Sequence, residues 1–150
     1  MIRIRNCFLL LLLICFCCKN LSGQSKTIDS LLTVLKTAKE DTSKANSLNA
    51  LSEQIWRTRK YNDSRKYADS AMVLSEKLDF KKGMGSAYGI KGLCYLFEGN
   101  FPEALNNYQA ALKIWEEIGD KSVIAISYIY IATVYFRQSN YSESLKNYLA

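Results

Sequence analysis

The sequence predicts an all-α fold, an α-solenoid of antiparallel helical hairpins, on three observations. The first is a repeat. Shifting the chain by 40 residues places Tyr95 on Tyr135, Asn100 on Asn140, Glu103 on Glu143, Leu105 on Leu145, Asn107 on Asn147 and Tyr108 on Tyr148, with Phe101 on Tyr141. The opposite shift puts Phe101 on Tyr61, Ala111 on Ala71 and Glu116 on Glu76. A fixed period of this length is the signature of stacked supersecondary units. The second is a pairing of small with large residues. Gly92, Ala104 and Ala111 let two helix backbones approach, while Tyr95, Phe101 and Tyr108 fill the space between them. The third is punctuation. Gly99 can take the left-handed conformation that ends a helix, and Pro102 suits the first turn of the next one.

Taken in order, the chain opens with Arg3 and Arg5, then the uncharged apolar run Cys7 to Cys18, then Leu21-Ser22-Gly23. A basic start, a short apolar core and a small-residue exit are the parts of a secretory signal peptide, expected here over residues 1–23. The run is shorter than the ~20 residues a spanning helix needs. Cleavage near Gly23 or Gln24 is expected, with an uncleaved anchor as the alternative. Lipid attachment at Cys15, Cys17 or Cys18 is disfavoured, since none follows a small residue. The leader holds three basic residues and no acid, so its removal takes the net charge from +6 to +3. The basic balance therefore gives no argument for nucleic acid. Four of the five cysteines leave with it; Cys94 stays alone, without a disulfide framework.

Residues 24–43 read as an N-terminal capping helix and turn. Ile28, Leu31, Leu32, Leu35 and Ala38 share one face, and an end unit must cover the apolar flank of the first hairpin. Residues 44–150 read as an array of about two and a half hairpins, cut short at the C-terminal end. Arg57, Arg59, Lys60, Arg65 and Lys66 gather near the first hairpin turn, as a solvated helix end or as a contact for an acidic partner or lipid headgroups. Lys82-Gly83-Met84-Gly85 lacks the strand before it and the Lys-Ser or Lys-Thr after it that a phosphate loop requires, so it reads as a helix start. Ser122 to Phe136 is rich in Val, Ile, Tyr and Thr, which favour strands. The repeat register assigns it to a helix, and its apolar residues lie on every side, as in a helix buried on most faces.

Within the unit, Tyr88, Gly92, Tyr95, Gly99, Phe101, Ala104, Tyr108 and Ala111 stand in the order of a tetratricopeptide repeat, and the middle unit resembles that family. The third unit offers Tyr128, Ile131, Ala132, Tyr135, Tyr141 and Tyr148; the first is more degenerate, with Leu48, Leu51, Ser52, Tyr61, Ser64, Ala68 and Ala71. Two departures stand out: Lys91 fills a usually apolar place, and the period is near 40 rather than the common 34. The resemblance implies a right-handed, long-period solenoid whose concave face is lined by the first helix of each hairpin. The candidate groove residues on that reading are Trp56, Ile90, Leu93, Phe97, Ile129, Tyr130, Thr133 and Arg137, after Asn49 and Glu53. Their apolar and aromatic character suits an amphipathic helix or an apolar peptide, the competing reading being packing within the stack. Family members that grip a C-terminal carboxylate use Lys, Arg and Asn there. Here the equivalents are Asn49 with Glu53, Gly89 with Leu93 and Ile129 with Thr133, which do not make such a clamp.

The chain has no histidine, so an imidazole base or metal ligand is excluded. Glu116 and Glu117 are adjacent on a helix and point apart, so they form no dyad. The expectation is a non-enzymatic scaffold, without cofactor or metal, that binds a protein or peptide and no nucleic acid. Its place would be the periplasm or cell envelope, with a membrane involved only through an uncleaved leader or a missing C-terminal segment. The rival expectation is the extracytoplasmic sensor region of a larger membrane signalling protein with a histidine kinase, cyclase or DNA-binding output.

Overall fold

Helices make up nearly all of residues 25–150, the part of the chain that this computed structural model describes, and no strand occurs among them. The predicted leader over 1–23 lies outside the described residues. Helix α1 spans 25–37. It is followed by α2 (Thr42–Arg57), α3 (Tyr61–Lys77), α4 (Lys81–Glu98), α5 (Phe101–Ile118), α6 (Lys121–Arg137) and α7 (Tyr141–Tyr148). None of the described helices is long and apolar enough to cross a membrane. The all-helical expectation holds, including for the β-branched segment of α6.

The turns fix the architecture. A residue with positive φ follows α2 to α6 in turn: Arg59 (63°), Asp79 (49°), Gly99 (78°), Gly119 (78°) and Ser139 (60°). They fall 20 positions apart, half of the repeat. In the last four turns the next amide reaches back to close the helix: Phe80 to the Ser75 carbonyl at 2.8 Å, Asn100 to Tyr95 at 2.9 Å, Asp120 to Trp115 at 3.3 Å and Asn140 to Tyr135 at 2.9 Å. This is the Schellman closure, which satisfies carbonyls left over at a helix end. Three of these closing residues also cap the helix that follows. The side chains of Asn100, Asp120 and Asn140 accept from the backbone N–H groups of Glu103, Val123 and Glu143. With two or three residues between helices, consecutive helices must run antiparallel.

From α2 to α7 each helix packs on its neighbours in the chain, and α2 also meets α4. One core joins Ala45 and Leu48 of α2, Ala68, Ala71, Met72 and Leu74 of α3, and Ala87 of α4, with Leu35 of α1 against it. A second joins Leu96 of α4, Ala104 and Tyr108 of α5, and Ile131 and Val134 of α6. Helix α4 belongs to both, so hairpins share a wall as a stack requires. A Cβ added to Gly92 would stand 2.7 Å from the Tyr108 ring, so only a hydrogen fits there. In the first hairpin the equivalent contact is polar. The Ser52 hydroxyl donates to the Ser64 carbonyl at 2.7 Å, and the Ser64 hydroxyl donates to the Ser52 carbonyl at 2.8 Å.

Lys91, the departure from the repeat pattern, forms an ion pair with Asp69 of α3 at 2.7 Å. Its stem covers apolar surface while the ammonium reaches the seam between hairpins. Helix α6 overrides its β propensity through contacts rather than composition. Asp120 caps it, Ile131 and Val134 are buried in the second core, and the Tyr130 ring stacks on Tyr108 at 5.1 Å.

Candidate functional site

The first helices of the hairpins, α2, α4 and α6, enclose a slot of about 510 Å³. Helix α2 contributes Asn49, Ala50 and Glu53 to one side, and α6 contributes Ile126, Ser127 and Tyr130 to the other. Helix α4 lies between them with Gly85, Gly89, Ile90 and Leu93. Room for the slot comes from the small residues Gly85, Ser86 and Gly89 on α4; an added Cβ at Gly89 would meet nothing within 4 Å. Below, Tyr108, Ala111 and Trp115 of α5 form the floor. Trp115 can lie there because Gly85 has no side chain; a Cβ on it would be 2.8 Å from the indole.

Two polar groups on these walls have no partner within the protein among the described residues. Asn49 is 6% exposed; its amide nitrogen donates to the Gly83 carbonyl at 2.9 Å, tying α2 to the start of α4, while its Oδ1 accepts nothing. Tyr108 is 1% exposed and its hydroxyl is unpaired. Burial pushes its phenol well above the ordinary tyrosine range, with Tyr130 adding to the effect, so it stays a neutral donor. Buried polar atoms are normally satisfied. Both atoms are shielded from solvent, so they lie behind the surface of the slot, which is lined there by the rest of each side chain.

Of the eight candidate groove residues, Ile90, Leu93 and Tyr130 line the slot. Trp56 and Phe97 lie at its end in a smaller cavity of about 420 Å³ with Arg57, Arg59 and Tyr61. The Trp56 and Phe97 rings meet edge to face at 5.3 Å, and the Arg137 guanidinium sits 6.0 Å from the Phe97 ring centre. Ile129 and Thr133 line neither cavity. Ile129 is about half exposed, and the Thr133 hydroxyl lies 3.3 Å from that of Tyr148. The physical reason is rotation along α6: the residues facing α4 are Val123, Ile126, Ser127 and Tyr130. Of these Tyr130 was a candidate, whereas Val123, Ile126, Ser127 and Trp115 were missed by the sequence reading; the small residues Gly85 and Gly89 on α4, which leave room beside that helix, are the signal that points to a slot there. Among the repeat-defining residues, Ala104, Tyr108 and Ala111 are buried, Tyr88, Tyr95, Phe101 and Tyr135 half-buried, and Tyr141 and Tyr148 exposed.

The basic cluster near the first turn divides. Arg57 pairs with Glu53, Arg65 with Glu98 and over the Tyr95 ring, and Lys66 with Asp63, whereas Arg59 and Lys60 have no ion pair among the described residues. Cys94 is buried, its thiol donates to the Ser64 hydroxyl at 3.3 Å, and burial pushes its pKa up, which removes it as a reactive nucleophile. A further cavity of about 650 Å³ follows the seam between Ser25 and Ile28 of α1 and the first hairpin turn.

Stacked antiparallel hairpins with a slot along their first helices define an α-solenoid. Residues 83–149 match the model of a tetratricopeptide repeat, so that stretch is similar to the repeats of this family. No curated protein matches the sequence. Among solved structures the chain is similar to the TPR domain of Arabidopsis FLU, with 19% identity and a TM-score of 0.65, covering 69% of this chain and 87% of that one. It is also similar to BtubC (BKLC) from P. vanneervenii, with 18% identity and a TM-score of 0.74, covering 84% of this chain and 54% of that one. The chain thus spans about half the length of BtubC. At such identities the likeness is one of fold.

Proposed function

We propose that this protein is a non-catalytic scaffold, exported from the cytoplasm, that holds a segment of a protein or peptide in the slot between α2, α4 and α6. The observation that carries the reading is the slot itself, apolar on its flanks through Leu93, Ile126 and Tyr130 and open over Gly89. A polypeptide offers both the apolar side chains and the main-chain N–H and C=O groups that such a slot accommodates. Export is supported by the three-part leader over residues 1–23.

The test is a pull-down from the native envelope fraction with wild-type protein and with a variant carrying Leu93→Lys and Tyr130→Ala. A partner captured by the first and lost from the second supports the reading; partners held equally by both overturn it. The mass of the protein recovered from that fraction tests export, since cleavage near Gly23 or Gln24 removes the leader. An apolar stretch of about 20 residues encoded beyond Ala150 would favour the sensor region of a membrane signalling protein, using the same slot.

A further inference from the structure

The cavity at the end of the slot is built almost entirely of donors and aromatic faces. From the slot residues Glu53 and Leu93, four steps along each helix lead to Arg57 and Phe97, which therefore continue the same faces toward the C-terminal ends of α2 and α4. There Trp56, Arg57, Arg59, Tyr61 and Phe97 enclose about 420 Å³. Arg137 closes in from α6 over the Phe97 ring, and Arg57 lies 6.0 Å from the centre of the Trp56 ring. The carboxylates near these residues in the sequence are already paired: Glu53 with Arg57 at 2.7 Å, Glu98 with Arg65, and Asp63 with Lys66. Arg59 and Arg137 have no ion pair among the described residues. The indole nitrogen of Trp56 is shielded from solvent, so what Trp56 adds to the cavity is its ring.

We infer that this cavity receives an acidic side chain of the polypeptide bound in the slot, so that the preferred partner carries Asp or Glu at one end of an apolar run. The inference rests on the slot being the binding site and adds the partner's chemistry and its direction. Guanidinium groups pair with carboxylates through a planar fork and stack on aromatic rings, so Trp56 and Phe97 hold the arginines ready for the acid. The opposite end of the slot, at Asn46, Ser86 and Val123, has no charged side chain among its lining residues. That difference in charge fixes which way the segment lies.

The experiment is selection of a displayed library of random short peptides on the full chain, sequenced before and after. Asp or Glu should be enriched at one end of an apolar run, and the enriched peptide should bind about tenfold more tightly than its Asn/Gln counterpart. Selection on Arg59→Gln/Arg137→Gln should retain the apolar run and lose the acidic preference. A control with Lys66→Gln and Lys113→Gln removes as much charge elsewhere and should keep that preference. An apolar run without acidic enrichment overturns the inference and leaves the slot reading standing. No enrichment at all, or enrichment unaffected by Leu93→Lys, overturns both. Competition by double-stranded DNA or polyglutamate as strong as that of an unlabelled selected peptide identifies a general polyanion surface and also overturns the inference.

Discussion

The first and middle hairpins solve one packing problem with different chemistry. At the closest approach of the two helices the first has Ser52 against Ser64, and the middle has Gly92 and Ala104 at the same repeat positions. The partner one turn on from Ser64 or Ala104 differs in the opposite sense: Ala68 is small, and Tyr108 is large. In the first hairpin each hydroxyl donates to the opposite carbonyl, which leaves the 3.1 Å gap between the two oxygens a contact, with the Cys94 thiol donating to Ser64 from α4. In the middle hairpin the ring of Tyr108 lies against bare backbone at Gly92 and is stacked from the other side by Tyr130. One seam is held by hydrogen bonds and the other by an aromatic fitted into a missing side chain. The tolerance of each to substitution must therefore differ.

The largest effect is expected in the middle seam. Gly92→Leu places several atoms where a Cβ alone would stand 2.7 Å from a ring that is itself packed on both sides. Overpacking of this kind costs about 3 kcal/mol or more, read as a fall in the midpoint of urea unfolding. At position 52 of the first seam, Ser52→Ala removes one hydrogen bond without adding volume and should cost about 1 kcal/mol. The same loss from Ser64→Ala should not be additive with it, because the two hydroxyls share one site. A double variant costing the simple sum of the singles would show that the hydroxyls act independently. If Gly92→Leu were as mild as Ser52→Ala, the tight fit of Tyr108 would be refuted.

Tyr108 sharpens the comparison from the other side. Its hydroxyl is buried without a protein partner, so Tyr108→Phe should leave stability unchanged or raise it by about 1 kcal/mol. A clear loss of stability would mean that the hydroxyl is satisfied within the fold.

The contrast also shows what a sequence makes legible. Period, helical hairpins, the small-large pairing at Gly92 and the helical state of residues 121–137 follow from the repeat, because the same backbone geometry must recur every 40 positions. Contacts peculiar to one repeat or made between two leave no such trace. Lys91 reads as a defect until Asp69 is found on the adjoining helix, and the serine seam looks like degeneracy until each hydroxyl is seen to meet the opposite carbonyl. The slot was half visible for a related reason. The pattern marks which helices line it, but their rotation, which brings Ile126 in and leaves Ile129 out, depends on packing against α5 and α7.

The turns carry the comparison to its finest grain. The helix ends on either side of α5 are Gly99 and Gly119, while those on either side of α3 are Arg59 and Asp79, all with positive φ. A side chain in that conformation brings Cβ against the following carbonyl, at a cost of roughly 1–2 kcal/mol, part of which glycine gives back through its greater freedom when unfolded. Arg59→Gly and Asp79→Gly should thus each stabilise the protein by about 0.5–1 kcal/mol. Gly99→Ala and Gly119→Ala should destabilise it by a similar amount. At both glycines an added Cβ would meet nothing within 4 Å, so any loss there is backbone strain and not collision. Equilibrium unfolding in urea, with the slope unchanged and only the midpoint moving, isolates the effect. Glycine substitutions that leave the midpoint where it is would mean that the first hairpin's turns are held without strain, and that the two hairpins differ in their seams alone.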